Sequence, residues 1–126
     1  VGSAMFMNKQ LTADIKGRDT VTGLPRIVTV TSDDVTESLQ HDLDLLMKAV
    51  KDVLHDTPPE LSADIMDKGI ILTGGSAQLR NLAELIAKVT GVPTYVAEDP
   101  INCVVKGTGI ALENIDSYKR SILATR

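Results

Sequence analysis

The sequence predicts an α/β chain, and three stretches carry that expectation. Residues 69–73 (Gly-Ile-Ile-Leu-Thr) are a short apolar run, expected to be buried on both faces, that ends on Gly74-Gly75-Ser76. Leu79, Leu82, Leu85, Ile86 and Val89 then recur at helical spacing up to Gly91, and Pro93 to Ala97 forms a second strand-like run. Strand, helix and strand this close together make a βαβ unit, with parallel strands and a right-handed crossover. Upstream, Leu11, Ala13 and Ile15 alternate with polar residues and Ile27 to Val30 is β-branched, so a hairpin around the turn-rich span from Gly17 to Pro25 is expected.

Helices fill the remainder. Ser32 is placed to cap a helix whose first turn holds Asp33 and Asp34, at the positive end of the dipole. Val35, Leu39, Leu43, Leu46, Val50 and Val53 recur at three- and four-residue spacing, enough for about six turns. Thr57-Pro58-Pro59 ends that helix and starts a shorter one that runs to about Lys68 and stops at Gly69. Pro100 opens a short helix through Val105, Gly107-Thr108-Gly109 breaks it, and a last helix runs from about Ile110 to Leu123 with Ile110, Leu112, Ile115, Tyr118 and Ile122 apolar. A parallel core of two strands is thin for a self-sufficient sheet, which points to further strands outside these residues.

Bulk properties narrow the function classes. The 126 residues fit one domain or part of something larger, and with only Phe6, Tyr95 and Tyr118 aromatic the core falls to Leu, Ile, Val, Ala and Met. A net charge of −4 without a long basic run argues against nucleic acid as a partner and against a strongly electrostatic membrane contact. Cys103 is the single cysteine, so no internal disulfide is possible and the chain reads as cytosolic. No apolar run approaches the roughly 20 residues of a membrane span.

Few residues could carry chemistry. Thr73-Gly74-Gly75-Ser76 lies at the carboxyl end of a strand and before a helix, where open α/β sheets bind ligands. Adjacent glycines let a ligand approach the backbone, and a helix N-terminus offers free N–H groups. The same residues also suit a tight turn that needs a positive φ and nothing more. Neither a Walker loop nor a dinucleotide fingerprint is present. Gly107 and Gly109 are either a hinge or a forced helix break. Cys103 reads as a buried inert thiol, and His41 and His55 lie too far apart on or beside one helix to share a metal, so no metal site and no catalytic residue is expected. Asp33, Asp34, Glu37, Asp42, Asp44 and Asp52 read as a solvated helix face. Ala4-Met5-Phe6-Met7 either packs on the core or forms a contact surface.

Taken in order, VGSAMF, KGRDTVTGLPRIVTVTSDDVTESL, DVLHDTPPELSADIMDKGIILTGGSAQLRNL and TGVPTYVAEDPINCVVKGTGIALENI resemble the MreB family of bacterial actins over essentially all residues. LTGG also occurs in other actin-fold ATPases, whereas TPPELSADIMDKGIILTGG together with GRDTVTGLP is much more specific. The resemblance implies the C-terminal part of an actin-like ATPase fold, in its second lobe. It assigns residues 1–58 mostly to the variable subdomain (IIB) and residues 59–126 to the conserved subdomain (IIA). The family's adenosine motif falls on Thr73, Gly74, Gly75, Ser76 and Ala77, with Ser76 where a third glycine is common. The second interlobe connection falls around Val104 to Gly109, which makes Gly107 and Gly109 hinge candidates.

The resemblance further implies a parent that polymerises with ATP and magnesium into filaments at the inner face of the cell membrane. There it guides cell-wall synthesis and maintains rod shape, with the wall-elongation machinery and a membrane-anchored component as partners. The phosphate loops and water-positioning residues of the family have no counterpart in these 126 residues. The piece alone is therefore expected to hold no nucleotide and to be inactive, and self-association, including strand exchange, is expected of it. The alternatives are an autonomous filament- or partner-contact module with no nucleotide role, or another actin-fold ATPase of the chaperone or kinase type.

Overall fold

The computed structural model describes residues 1–123, with side chains through residue 119. Strands β1 (Thr12–Arg18) and β2 (Pro25–Thr31) form an antiparallel hairpin in which Thr12 faces Thr31 and Arg18 faces Pro25. The strands run further than the turn-rich span suggested, because Pro25 stands at the first position of β2, where its missing N–H breaks no ladder. The loop keeps only residues 19–24. Asp19 organises it: one carboxylate oxygen accepts from the N–H groups of Val21 and Thr22, both at 2.9 Å, and the other meets Arg26 at 3.3 Å. Those two backbone donors, Thr22 first, hold the Asp19 carboxyl below the usual carboxylate range.

Helix α1 spans Ser32–Asp56, and its cap is Thr31, not Ser32. The Thr31 hydroxyl accepts from the Asp34 N–H at 3.1 Å, while the Asp34 carboxylate accepts from the Thr31 N–H at 2.9 Å, a reciprocal capping box. Ser32 is instead the first helical residue, buried, with its Oγ accepting from the Leu11 N–H at 3.2 Å and its own N–H donating to the Leu11 carbonyl. Leu43 and Met47 are the buried apolar residues of α1; Leu46 and Val53, expected inward, are exposed. The helix ends at Thr57, extended as a residue before proline prefers, and α2 (Pro59–Lys68) follows.

Gly69 closes α2 at φ +82°, and a Cβ there would lie 2.6 Å from the Pro93 carbonyl oxygen. Only glycine fits, because both the conformation and the approach of the next strand exclude a side chain. β3 (Ile70–Leu72) and β4 (Thr94–Val96) pair in parallel, Ile70 opposite Thr94 and Leu72 opposite Val96. α3 (Leu82–Thr90) makes the crossover and stops at Gly91 in the left-handed region. Ala4, Leu43, Met47, Leu82 and Ile86 form the core, with Ile70 and Leu72 packed against it. The core thus joins residues from both sides of position 58. Only one face of β3 is covered: Ile71 is 66% exposed, contrary to a strand buried on both faces. Ala4 packs in the core while Phe6, two residues on, is exposed, so the apolar start of the chain divides between packing and surface.

The expected helix break at Gly107-Thr108-Gly109 does not occur. α4 runs from Cys103 to Glu113 straight through both glycines, and the break falls at Asn114, before α5 (Ile115–Leu123). A glycine in a helix interior costs about 1 kcal/mol but forbids nothing. Neither glycine takes a positive φ, and Thr108 returns its hydroxyl to the Val104 carbonyl at 2.7 Å. The Ile122 side chain, one of the apolar positions expected on the last helix, lies outside the described residues.

Candidate functional site

The glycine turn lies where the sequence places it, past the carboxyl end of β3. Gly74 takes φ +88° and ψ 170°, a conformation open to glycine, and Gly75–Gln78 wind into a single 3₁₀ turn. A Cβ built on Gly74 or on Gly75 meets nothing within 4 Å. Gly74 therefore answers a backbone need, while Gly75 takes no positive φ, and its missing side chain leaves space open. Ser76 is exposed, and Ala77 is 4% exposed with its side chain turned into the protein. Of the four candidate residues, Gly75 and Ser76 face outward, Gly74 supplies the bend and Ala77 roots the turn. Thr73, just before the bend, is exposed.

Two anchors hold the turn. The Gly74 N–H donates to the Pro100 carbonyl at 2.6 Å, tying the turn to the loop between β4 and α4. That loop is braced in turn by Asp99, which accepts from Lys106 at 2.7 Å and from the Asn102 amide at 3.1 Å. The hydrogen bond from Lys106 is the main reason the Asp99 carboxyl titrates below its ordinary range, and Lys106 is correspondingly raised. At the far end, Asn81 adopts φ +62° before α3 begins, and its side-chain amide donates to the buried Ser3 hydroxyl at 3.0 Å. Neither anchor follows from the local sequence pattern. Its signal for the second was an asparagine, the non-glycine residue best suited to a left-handed position, just ahead of a helical run.

An open groove of about 560 Å³ adjoins the turn, floored by Leu39, Leu43, Leu46 and Leu79 with Asp42 at its edge, and lined by Gly75 and Ser76. Apolar walls beside a glycine backbone fit a flat base. The one charge there is an acid, which does not fit a phosphate chain. Among the described residues no three of His, Cys, Asp and Glu are placed to hold a metal ion. His41 and His55 are both exposed on α1. Cys103 is half-buried, its thiol donating to the Asp99 carbonyl at 3.2 Å. Among the acidic residues of α1, Asp33 is half-buried and accepts from Gln10 at 2.8 Å, Asp34 serves the cap, and Glu37, Asp42, Asp44 and Asp52 are solvated. Gly107 and Gly109 lie inside α4, away from the turn in sequence. Among the described residues no helix is long and apolar enough to cross a membrane.

The parallel βαβ pair, the glycine turn at the strand's carboxyl end and the long helix behind them make this chain a piece of an actin-like ATPase fold, as its likeness to solved structures shows. Its overall course matches the crystal structure of MreB5 of Spiroplasma citri bound to ADP, with a TM-score of 0.83, 35% identity and 96% of this chain covered. The AMPPNP-bound structure of the same protein matches at a TM-score of 0.82, with 33% identity. The MreB/Mbl family model matches residues 1–120, and the chain belongs to that family. It is 52% identical over 110 residues to the cell shape-determining protein Mbl of Bacillus cereus, covering 87% of this chain and 33% of the relative. It is 43% identical over 118 residues to the cell shape-determining protein MreB of Escherichia coli, covering 94% of this chain and 34% of the relative. The chain spans about a third of the length of these relatives and 36% of each Spiroplasma chain.

Proposed function

We propose that this chain is the C-terminal part of a nucleotide-dependent, actin-like filament protein, and that it supplies the adenosine side of the nucleotide cleft. The observation that carries the reading is the open edge of the turn at Gly75 and Ser76, where backbone without a side chain meets an apolar groove. The MreB5 structures hold ADP and AMPPNP, and the likeness to them makes an adenine nucleotide the ligand of choice. The base and ribose would lie against Gly75 and Ser76. Magnesium and the phosphates would depend on residues outside this segment, so the piece alone binds ATP no better than about millimolar. In this proposal the parent works in the cytoplasm at the inner membrane face and guides cell-wall synthesis with the elongation machinery. Residues 1–58 serve largely as the variable subdomain and 59–126 as the conserved one.

The test is Gly75→Val in a protein of the relatives' full length that carries this segment. The turn has room for the side chain, so the fold keeps its cooperative melt with a cost of no more than about 1 kcal/mol. ATP affinity drops by more than about tenfold, because a branched side chain occupies ligand space. Unchanged affinity, measured by calorimetry with magnesium, removes the cleft from this turn.

A contact role without nucleotide is the second reading, favoured by the exposed Val104, Val105 and Leu112 on α4. It predicts that Gly75→Val leaves polymerisation intact. In the nucleotide reading Gly107 and Gly109 act as a hinge by keeping α4 easy to bend. Replacing each with Ala raises helix stability by about 0.5–1 kcal/mol and reduces the difference between the nucleotide-bound and free conformations, as read by small-angle scattering.

A further inference from the structure

The most completely buried polar group in the described core belongs to Ser3, 0% exposed, and its bonds join three separate segments. Its hydroxyl donates to the Met5 carbonyl at 2.7 Å and accepts from the Asn81 amide at 3.0 Å. Its carbonyl accepts from the Thr36 hydroxyl at 3.0 Å, itself buried on α1. The next residue, Ala4, donates its N–H to the Arg80 carbonyl at 2.8 Å. Residues 3–4 therefore hold Arg80 and Asn81 through the Ala4 N–H on the Arg80 carbonyl and the Asn81 amide on the Ser3 hydroxyl, and that hydroxyl also lies 3.4 Å from the Arg80 carbonyl as a second acceptor.

Asn81 is the one described non-glycine residue with a positive φ. A left-handed residue reverses the chain locally, and here it separates the 3₁₀ turn from α3. Leu79, between them, donates to the Ser76 carbonyl at 3.1 Å and accepts from the Leu82 N–H at 3.1 Å. The path from the Ser3 bond to Ser76 is thus a short stretch of backbone closed by two hydrogen bonds through Leu79. The other end of the turn is fixed by Gly74 on Pro100. Between these two clamps lie Gly75 and Ser76, both exposed beside the groove.

We propose that Ser3 and Asn81 are positioning residues for the nucleotide: they touch no ligand, and they set the orientation of the turn that does. This rests on the adenosine reading of that turn. Preorganisation raises affinity by removing the ordering that binding would otherwise require. An unpinned Asn81, or one forced toward ordinary φ, leaves residues 75–79 to be ordered by the ligand.

The experiment uses a protein of the relatives' full length carrying this segment, with ATP–magnesium affinity and the melting curve recorded for each variant. Ser3→Ala and Asn81→Ala should each weaken ATP at least fivefold while melting cooperatively. Asn81→Gly, which keeps the left-handed backbone, should bind more tightly than Asn81→Ala. Ile86→Val, a core change away from the clamp, should lower the melting temperature and leave affinity within twofold. Wild-type affinity in both Ser3→Ala and Asn81→Ala overturns the inference, as does an affinity loss in Ile86→Val equal to theirs, which would make the effect one of stability. If Asn81→Ala does not fold, Ser3→Ala decides alone: a loss of at least fivefold supports the inference and wild-type affinity overturns it. The two ideas fail separately. Gly75→Val binding ATP normally removes the adenosine reading, whereas its loss alongside normal clamp variants removes only the positioning role.

Discussion

The hairpin and the βαβ unit are both two-stranded, yet they are held together in opposite ways. β1 and β2 contain no buried residue, and Ile15, Ile27 and Val28 stand exposed. What shapes the hairpin is local: its ladder, the Asp19 carboxylate in the loop and the Thr29–Asp14 hydrogen bond at 2.7 Å across the strands. β3 and β4 are shorter, three residues each, and also hold no fully buried residue, but Ile70 and Leu72 on one face of β3 pack against the core of Leu43, Met47, Leu82 and Ile86 from α1 and α3. A lone hairpin in water is marginal, and three-residue strands alone would be worse. The difference teaches that in this chain stability follows the helices over a sheet, not the length of its strands.

The sharpest way to break that comparison is Ile86→Ala, which empties a 2%-exposed position and should cost about 2–4 kcal/mol in denaturant unfolding. Val28→Ala on the hairpin should stay within about 0.5 kcal/mol, and a cost near that of Ile86→Ala would show the hairpin to be part of the same core. Next in size is Gly69→Ala. Its Cβ would meet the Pro93 carbonyl at φ +82°, so a loss of about 1–3 kcal/mol is expected, together with faster amide exchange at Ile70.

The smallest effect is confined to the hairpin loop. The folded-state pKa of Asp19 is depressed, so its contribution is complete above the ordinary value of 3.8 and disappears as pH falls through the lower folded value. Acidification over that window should release the Val21 and Thr22 amides to exchange in NMR, while β3 and α3 remain protected. Simultaneous release of both regions would mean that the loop and the core open as one unit.

The parts of the fold legible in the sequence are those governed by side-chain periodicity. The spacing along α1, the Pro59 start and Gly69 stop of α2, and the strand–helix–strand order all follow from neighbours in the chain. Three features escaped, each for a physical reason. Thr31 and Ser32 are both good caps, and the choice between them fell to Leu11, which claims the Ser32 hydroxyl. The penalty for Gly107 and Gly109 was too small to stop α4. Ile71 looks like a core residue by type, but whether its face is covered depends on atoms beyond β3 and β4. For the candidate site, the position of the turn was legible because glycines after an apolar run are a local signal. Its anchors at Pro100 and Ser3 were not, since each joins residues distant along the chain.

That last separation bears on how the chain is made. Ser3 and Asn81 are 78 positions apart, and Ala4 reaches Arg80 across nearly the same interval. Contacts that close so long a loop form late, after the helices between them. During synthesis the segment around Ser3 leaves the ribosome before α1, α2 and β3, and must wait until they have followed before its partner exists. For that interval a serine and an alanine destined for full burial stay in water. The glycine turn, which ends at Asn81, takes its final shape only when the segment around Ser3 returns to it.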